Sequence, residues 1–428
     1  MFLKNFITEN KLIYLLFYIV FFSHIYLWDL TNINNAIENP TNKPFWILRY
    51  LVLFFLLNFF FDKKALDKNF LIIFIIIIFQ IIVNLILYNQ IINLKEFGSI
   101  IFFFLLYLVT FYEKDRILKN LKSFFELVIV INFLGLIYYY FNDEIRIFNS
   151  CNLLLIDNII FHENSHYAMM IVPIFIYYIF EKINLRNFIF IFLLCFNSLI
   201  YLSLTLIVGI IASLLICLVI LIIHQVKKGY VVFLLLFFFT ILMVSQSNCT
   251  NRIQYLFDKT YYDLNYIDKN KFNENEFNKL ILNKNLSSEV INIAILNTIN
   301  TFDKGRIFGW GFNSYYRAYE DNIKNIINKY YPYHDLDYQL FKLNKSDARS
   351  TLLKIINEFG ILSLIFLYYS YKFILNKSID LKYKSSISSL LITQLISGAG
   401  YFNGGFAIFL FLLIILSNSN QKLKKKYL

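Results

Sequence analysis

The feature that most constrains this chain is a series of apolar runs, about 17 to 25 residues each, recurring from one end to the other. Runs of that length match the roughly 30 Å hydrocarbon core of a bilayer at about 1.5 Å of helix per residue. Inside that core the backbone has no water to bond, so each run must satisfy its own N–H and C=O groups as a helix. Barrel strands would instead alternate apolar and polar residues over about ten positions, and no such alternation is visible. Only 16% of the 428 residues are charged and 58% are hydrophobic, whereas soluble chains carry about 25% charged residues. The sequence therefore predicts an all-α, polytopic membrane protein.

Spans are expected near residues 12–28, 44–61, 70–88, 97–112, 124–141, 167–181, 187–203, 205–224, 230–246, 352–373, 386–402 and 404–418. Lys and Arg concentrate in the segments MFLKNFITENK, FDKKALDKN, EKDRILKNLK, EKINLRN, HQVKKG, NKSIDLKYK and QKLKKKYL. These alternate with DLTNINNAIENPTNK, NQIINLKEF and NDEIRIFNSCNLLLIDNIIFHENSH, which carry one basic residue each. The positive-inside rule then predicts about twelve spans with both termini cytoplasmic. A break is required near Ser203 to Thr205, because one helix over 187–224 would be about 57 Å long. Three regions follow: residues 1–246 with spans one to nine, 247–351 as an outer loop domain, and 352–428 with spans ten to twelve and a basic cytoplasmic tail.

The formal charge of +12 sits in short loops, where it orients helices and meets anionic headgroups; no nucleic-acid partner is expected. Cys151, Cys195, Cys217 and Cys249 show no metal-ligand spacing. Cys195 and Cys217 read as packing residues, while Cys151 and Cys249 both fall in outer segments, which allows a disulfide. The first apolar run lacks a small-residue cleavage site and reads as a true span.

Residues 247–351 differ in kind, being rich in Asn, Lys, Asp and Tyr with near-balanced charge. SSEVINIAILNTINTF and NIKNIINKYY still carry helical patterning, with Val290, Ile293, Ile295, Leu296 and Ile299 toward one side of the first. A small helical domain is expected.

Polar residues retained beside apolar spans are where membrane proteins keep their chemistry, and three places stand out. His162, Glu163, Ser165 and His166 precede span six, where Glu163 or His166 could accept a proton; the same residues also suit a plain helix N-terminus. GRIFGWGFNSYYRAY (305–319) offers Arg306 and Arg317, whose forked guanidinium groups suit phosphates, and Trp310, Tyr315 and Tyr316 as faces for sugars. It equally reads as an ordinary turn with surface arginines. SDARSTLLKIINEFGILSLIF (346–366) places Arg349 at the outer mouth of span ten and Glu358 within it. The two lie about 13 Å apart along one helix, so each needs a different partner. Arg49 reads as a snorkelling side chain. His334, beside Asp335 and Asp337, is either a base or a solvated loop residue.

The topology and these segments resemble the O-antigen polymerase and O-antigen ligase superfamily of bacterial envelopes. Arg349, Ser350, nine residues and Gly360 keep the spacing of a ligase motif whose first residue is His, and the Arg in its place leans toward the polymerases. GRIFGWGFNSYY is similar to a Gly-x-Gly turn of the same loop, and ENSHYAMMIVP to a Glu-x-Ser-His-Phe-Ala stretch of some polymerases. The chain has SLT at 203–205 where the superfamily often has Ser-Arg. The resemblance implies an inner-membrane glycosyltransferase with its large loop periplasmic. It would join polyprenyl-diphosphate-linked glycan donor and acceptor, without metal or cofactor, a chain-length regulator being a further class of partner. Glu163, His166 and Arg349 are then the catalytic candidates, and Arg306, Arg317, Trp310, His334 and Glu358 the substrate-binding ones. A ligase and a lipid-linked oligosaccharide transporter are the alternatives; a transporter would usually show two related halves.

Overall fold

The structure is a computed structural model describing residues 11–22, 49–53, 67–141, 164–182, 184–200, 203–225, 286–330, 347–398 and 400–418. Every regular element among them is helical. We number the helices α1 (Lys11–Phe21), α2 (Lys68–Tyr88), α3 (Leu94–Phe141), α4 (Asn164–Ile179), α5 (Leu185–Ile200), α6 (Leu204–His224), α7 (Leu286–Asp303), α8 (Tyr315–Tyr330), α9 (Thr351–Phe359), α10 (Leu364–Leu375), α11 (Leu381–Ile396) and α12 (Phe406–Ser417). This numbering does not reproduce the twelve expected spans, because α7 and α8 come from the polar stretch. Lys68–Tyr88, Leu94–Ile137, Leu204–His224 and Thr351–Leu375 are long and apolar enough to cross a membrane, and four shorter apolar helices accompany them. The expected span 230–246 lies outside the described residues.

α2 shows the membrane character most directly, because its polarity is inverted. Ile75, Ile86 and Leu87 are more than half exposed, whereas Asn69, Gln80 and Asn84 are buried. A helix in water would do the reverse; facing lipid, apolar side chains turn outward and polar ones seek partners inside. Asn69 finds Tyr369 and Asn418, whose hydroxyl and amide donate to its Oδ1 at 3.2 and 2.6 Å.

α3 is helical over 48 residues, including the EKDRILKNLK segment expected as a loop, yet it cannot be straight. Tyr14 donates to Glu113 and Phe21 packs on Phe102, so α1 runs antiparallel to the first arm. Tyr18 donates to Ile117 O and Phe22 packs on Phe124, so α1 runs parallel to the second. One rod cannot run both ways; α3 folds back within its charged middle, giving two arms where two spans are expected.

The break expected near Ser203 is present. Ser203 is extended, and its side chain accepts from Leu206 N to start α6. α6 and α11 then meet along a seam of small residues every fourth position. Thr205, Gly209, Ser213 and Cys217 face Ser397, Thr393, Ser389 and Ser385 in antiparallel register. Small side chains let helix backbones approach closely in lipid, where the hydrophobic effect supplies no force between helices. A Cβ on Gly209 would lie 2.9 Å from Thr393 Cγ2. Cys195 and Cys217 are free thiols, the latter buried, as packing residues would be; Cys151 and Cys249 lie outside the described residues.

Segments that the charge bias assigns to one face are found together. Glu181, just past α4, pairs with Lys122 of α3 at 3.3 Å and Lys382 of α11 at 2.8 Å, and Arg186 of α5 pairs with Glu126 at 2.6 Å. At the other end of the bundle, residues 89–97 meet residues 305–317, as described below.

In the polar stretch, SSEVINIAILNTINTF is helical within α7 and NIKNIINKYY contributes to α8. Val290, Ile293 and Leu296 are buried against Tyr315, Tyr319 and Ile326, while Ile295 and Ile299 are only partly buried. The buried face is less apolar than expected, since Asn292, Asn297 and Thr301 share it. Asn322 of α8 donates to Asn297 Oδ1 at 2.8 Å, which satisfies part of that polar ladder.

Candidate functional site

The polar stretch and the apolar helices join at the glycine turn 305–314, and the sequence dictates how. α9 is only nine residues long, opening on Ser350, whose hydroxyl accepts from Leu353 N, and stopping at Gly360. The Ser350-to-Gly360 spacing is thus the length of one capped helix. At its end the carbonyls of Asn357 and Glu358 lack partners within the helix. Trp310 N donates to Asn357 O at 3.1 Å, Gly311 N donates to Glu358 O at 3.0 Å, and Ile361 N returns a bond to Ile307 O at 2.9 Å. Gln80 of α2 adds its amide, donating to Phe308 O at 2.9 Å and to Glu358 O. The approach is so close that a Cβ on Gly309 would lie 2.3 Å from Glu358 O, and one on Gly360 1.9 Å from Ile307 O. Both glycines have φ in the left-handed range, +74° and +55°.

Glu358 returns the favour to α8. Its side chain is fully buried and accepts from Asn313 N and Tyr315 N, both at 2.9 Å, at the positive end of that helix. Tyr401 donates to the same carboxylate at 2.6 Å, and Lys354 Nζ lies 3.7 Å away. These are the partners that Arg349 is too distant to supply, and all belong to the protein. Glu358, expected from sequence among the substrate-binding residues, clasps the glycine turn.

The two central arginines are engaged in the same way. Arg306 lies over the Trp310 ring at 3.4 Å and the Tyr88 ring at 4.3 Å, and donates to Gln90 Oε1 at 2.8 Å. Burial between these rings pushes its guanidinium pKa down. Arg317 meets Glu96 with a two-point fork, Nε to Oε1 at 2.7 Å and Nη2 to Oε2 at 2.9 Å, and donates to Ile91 O. Trp310 is buried, its indole N–H donating to Thr301 Oγ1 at 3.1 Å. Tyr315 is buried as well, and Lys95 covers the Tyr316 ring at 5.0 Å. The groups expected to hold phosphate and sugar therefore fasten the turn to the 88–97 segment.

Arg349 stands apart from that fastening. It and Ala348 are consecutive left-handed residues, φ +52° and +58°, a conformation that costs about 1–3 kcal/mol at each non-glycine position and clusters at functional sites. Its carbonyl accepts from Gly398 N at 3.2 Å, and the side chain is half-buried. Asp347, two residues before it in the chain, and the buried Lys354 of α9 lie 3.5 Å apart. His166 occupies the first turn of α4 and is half-buried. α4 and α11 are antiparallel, Ser386 donating to Pro173 O and Tyr177 packing on Tyr383. Continued along both helices, that register brings His166 level with Thr393 and Gln394, near the end of α11 that adjoins Arg349. Glu163 and His334 lie outside the described residues.

Sequence reasoning missed the segment that draws this end together. Residues 397–402 and 404–405 fall in the expected spans eleven and twelve, but 397, 398 and 400–405 lie outside any helix and are mostly buried. Tyr401 bonds Glu358, Gly405 N donates to Phe21 O, and Gln394 donates to Gly404 O. Asn403 accepts from Arg49 at 3.3 Å, so Arg49 is not snorkelling; it is buried and also donates to Val20 O at 3.1 Å. Irregular backbone at such a place is tolerated where protein surrounds it. Four glycines, 398, 400, 404 and 405, were the available signal. Lys354 had none beyond being a lysine inside an otherwise apolar helix.

The chain matches no family model, no curated protein and no solved structure.

Proposed function

We propose that this protein is a glycosyltransferase of a bacterial inner membrane that polymerises polyprenyl-diphosphate-linked oligosaccharide units, with the 305–317 end facing the periplasm. One observation carries the reading: the Asp347–Lys354 pair and the left-handed Ala348 and Arg349 stand together in the chain where the polar stretch meets helices with lipid-type apolar surfaces. A polyprenyl diphosphate needs such a place, with its lipid among the helices and its charge at their ends. Departure of the diphosphate requires positive charge that is already in position, since preorganised charge stabilises a developing anion without reorganisation. Arg349, on left-handed backbone immediately before α9, supplies that charge. Arg306 and Arg317 contribute by fixing the turn.

The test is the glycan profile of a deletion strain complemented with wild type or with Arg349→Ala. Loss of polymerase leaves single repeat units on the acceptor, and Arg349→Ala is expected to give the same pattern at normal insertion. Long-chain glycan from the deletion strain would overturn the proposal. A ligase uses the same donor chemistry, and its loss leaves no units attached at all.

A further inference from the structure

Resting on that glycosyl-transfer reading, we infer that Asp347, held by the buried Lys354, is the base that takes the proton from the acceptor hydroxyl. Glu358 has a side-chain exposure of 0% and Glu96 of 4%, and both are engaged by the glycine turn and Arg317. Asp321, half exposed, is paired with Lys304 on the far side of that turn. Asp347 has a side-chain exposure of 36%. It is open to a hydroxyl arriving from outside, and it stands two residues before Arg349.

Its surroundings are built around it. Lys354 Nζ lies 3.5 Å from Asp347 Oδ1 while its side chain is 3% exposed, so the cation approaches from the protein side and the carboxylate faces outward. Lys354 also lies 3.7 Å from Glu358 and 5.3 Å from the Tyr401 ring centroid. That links the base to the clasp of the glycine turn. Gly400 completes the wall: a Cβ there would come within 2.7 Å of Asp347 Oδ1. Ala348 and Arg349 take left-handed backbone immediately after it, which fixes the carboxylate and the guanidinium on one short rigid segment.

The step balances as follows. The acceptor hydroxyl oxygen forms a bond to the anomeric carbon of the donor, and its proton passes to the Asp347 carboxylate. The bond from that carbon to the diphosphate oxygen breaks, and the electron pair leaves on polyprenyl diphosphate beside Arg349. Lys354 touches no substrate; it is a positioning residue that keeps Asp347 aimed.

The experiment uses the full-length protein in detergent or vesicles with a polyprenyl-diphosphate-linked repeat unit, scoring kcat and KM for elongation. Asp347→Asn is expected to lower kcat about 100-fold with KM near wild type, and formate to restore part of the rate in Asp347→Ala. Lys354→Gln is expected to lower kcat with KM near wild type, and Lys354→Arg to restore it. Wild-type elongation by a folded Asp347→Asn, or no rescue of a folded Asp347→Ala by formate, overturns the assignment and leaves the polymerase reading standing. Should Asp347→Asn not fold, the kcat loss in Lys354→Gln at unchanged KM, and its return in Lys354→Arg, carry the test. Absence of elongation by wild type, with the substrate shown to be competent, would instead overturn the polymerase reading.

Discussion

The two ends of the helix bundle put charge to different uses. At the Glu181 end, charges meet side chain to side chain across helix termini: Lys122 and Lys382 on Glu181, Arg186 on Glu126. Even the buried Lys384 there serves helix ends, lying 2.7 Å from His224 Nε2 and donating to Ile374 O at 3.0 Å and to Asn376 O. At the Glu358 end, charged groups that also have side-chain partners reach backbone outside the regular helices. Glu358 accepts from two amides, Arg317 donates to Ile91 O, and Arg49 to Val20 O. Side-chain pairs staple helices that would exist without them. Carboxylates and guanidinium groups bonded to amides and carbonyls hold irregular backbone that would not otherwise stay folded away from water. Irregular, fixed backbone beside lipid-facing helices is what a site needs; stapled helix ends need only stay closed.

That contrast can be broken most forcefully at Glu358. Glu358→Ala leaves the buried amides of Asn313 and Tyr315 without their acceptor and takes one of two carboxylates from the buried Lys354, a loss of about 3–5 kcal/mol. It should appear as a large drop in the thermal midpoint of the purified protein and as protease sensitivity within 305–314. Next comes Gly360→Ala, which drives a methyl group into Ile307 O and forces a left-handed alanine, costing about 3 kcal/mol; the same two measurements check it. Gly209→Leu tests the helix seam apart from either end. Overpacking against Thr393 should cost about 1–3 kcal/mol and speed maleimide labelling of the buried Cys217. The smallest effect is expected from Glu181→Gln, below about 1 kcal/mol for a partly exposed pair, with elongation unchanged. Elongation lost in Glu181→Gln but kept in Glu358→Ala would reverse the assignment of roles to the two ends.

How much of this was legible in the sequence depends on the range of the interaction. The break at Ser203 could be read because the length of an apolar run and the thickness of a bilayer are both local quantities, and Ser203 is a competent cap. The helices α7 and α8 showed in their periodicity. Glu358 could be marked as costly and in need of a partner, but its partners come from residues 313, 315, 354 and 401, which no spacing rule connects. Arg306 and Arg317 looked like phosphate ligands because residue type alone does not say whether a guanidinium already has a carboxylate or a ring beside it. The turn 397–405 was absorbed into spans because its aromatic and small residues are hydrophobic on average, although its glycines break the helix.

By itself, then, the chain determined that it would be helical, with long apolar helices suited to a membrane and a polar segment partly helical in its own right. Those properties follow from hydrophobicity, chain length and backbone hydrogen bonding, each additive along the sequence. Only tertiary structure decided which charges are clasps and which remain beside an accessible carboxylate. Arg317 is neutralised by a residue 221 positions away and Arg306 is covered by Tyr88, while Asp347 and Lys354 face each other at the open end of α9. Pair energies fall with distance in space and take no account of separation along the chain, so the division between scaffold and site appears only once the helices have packed.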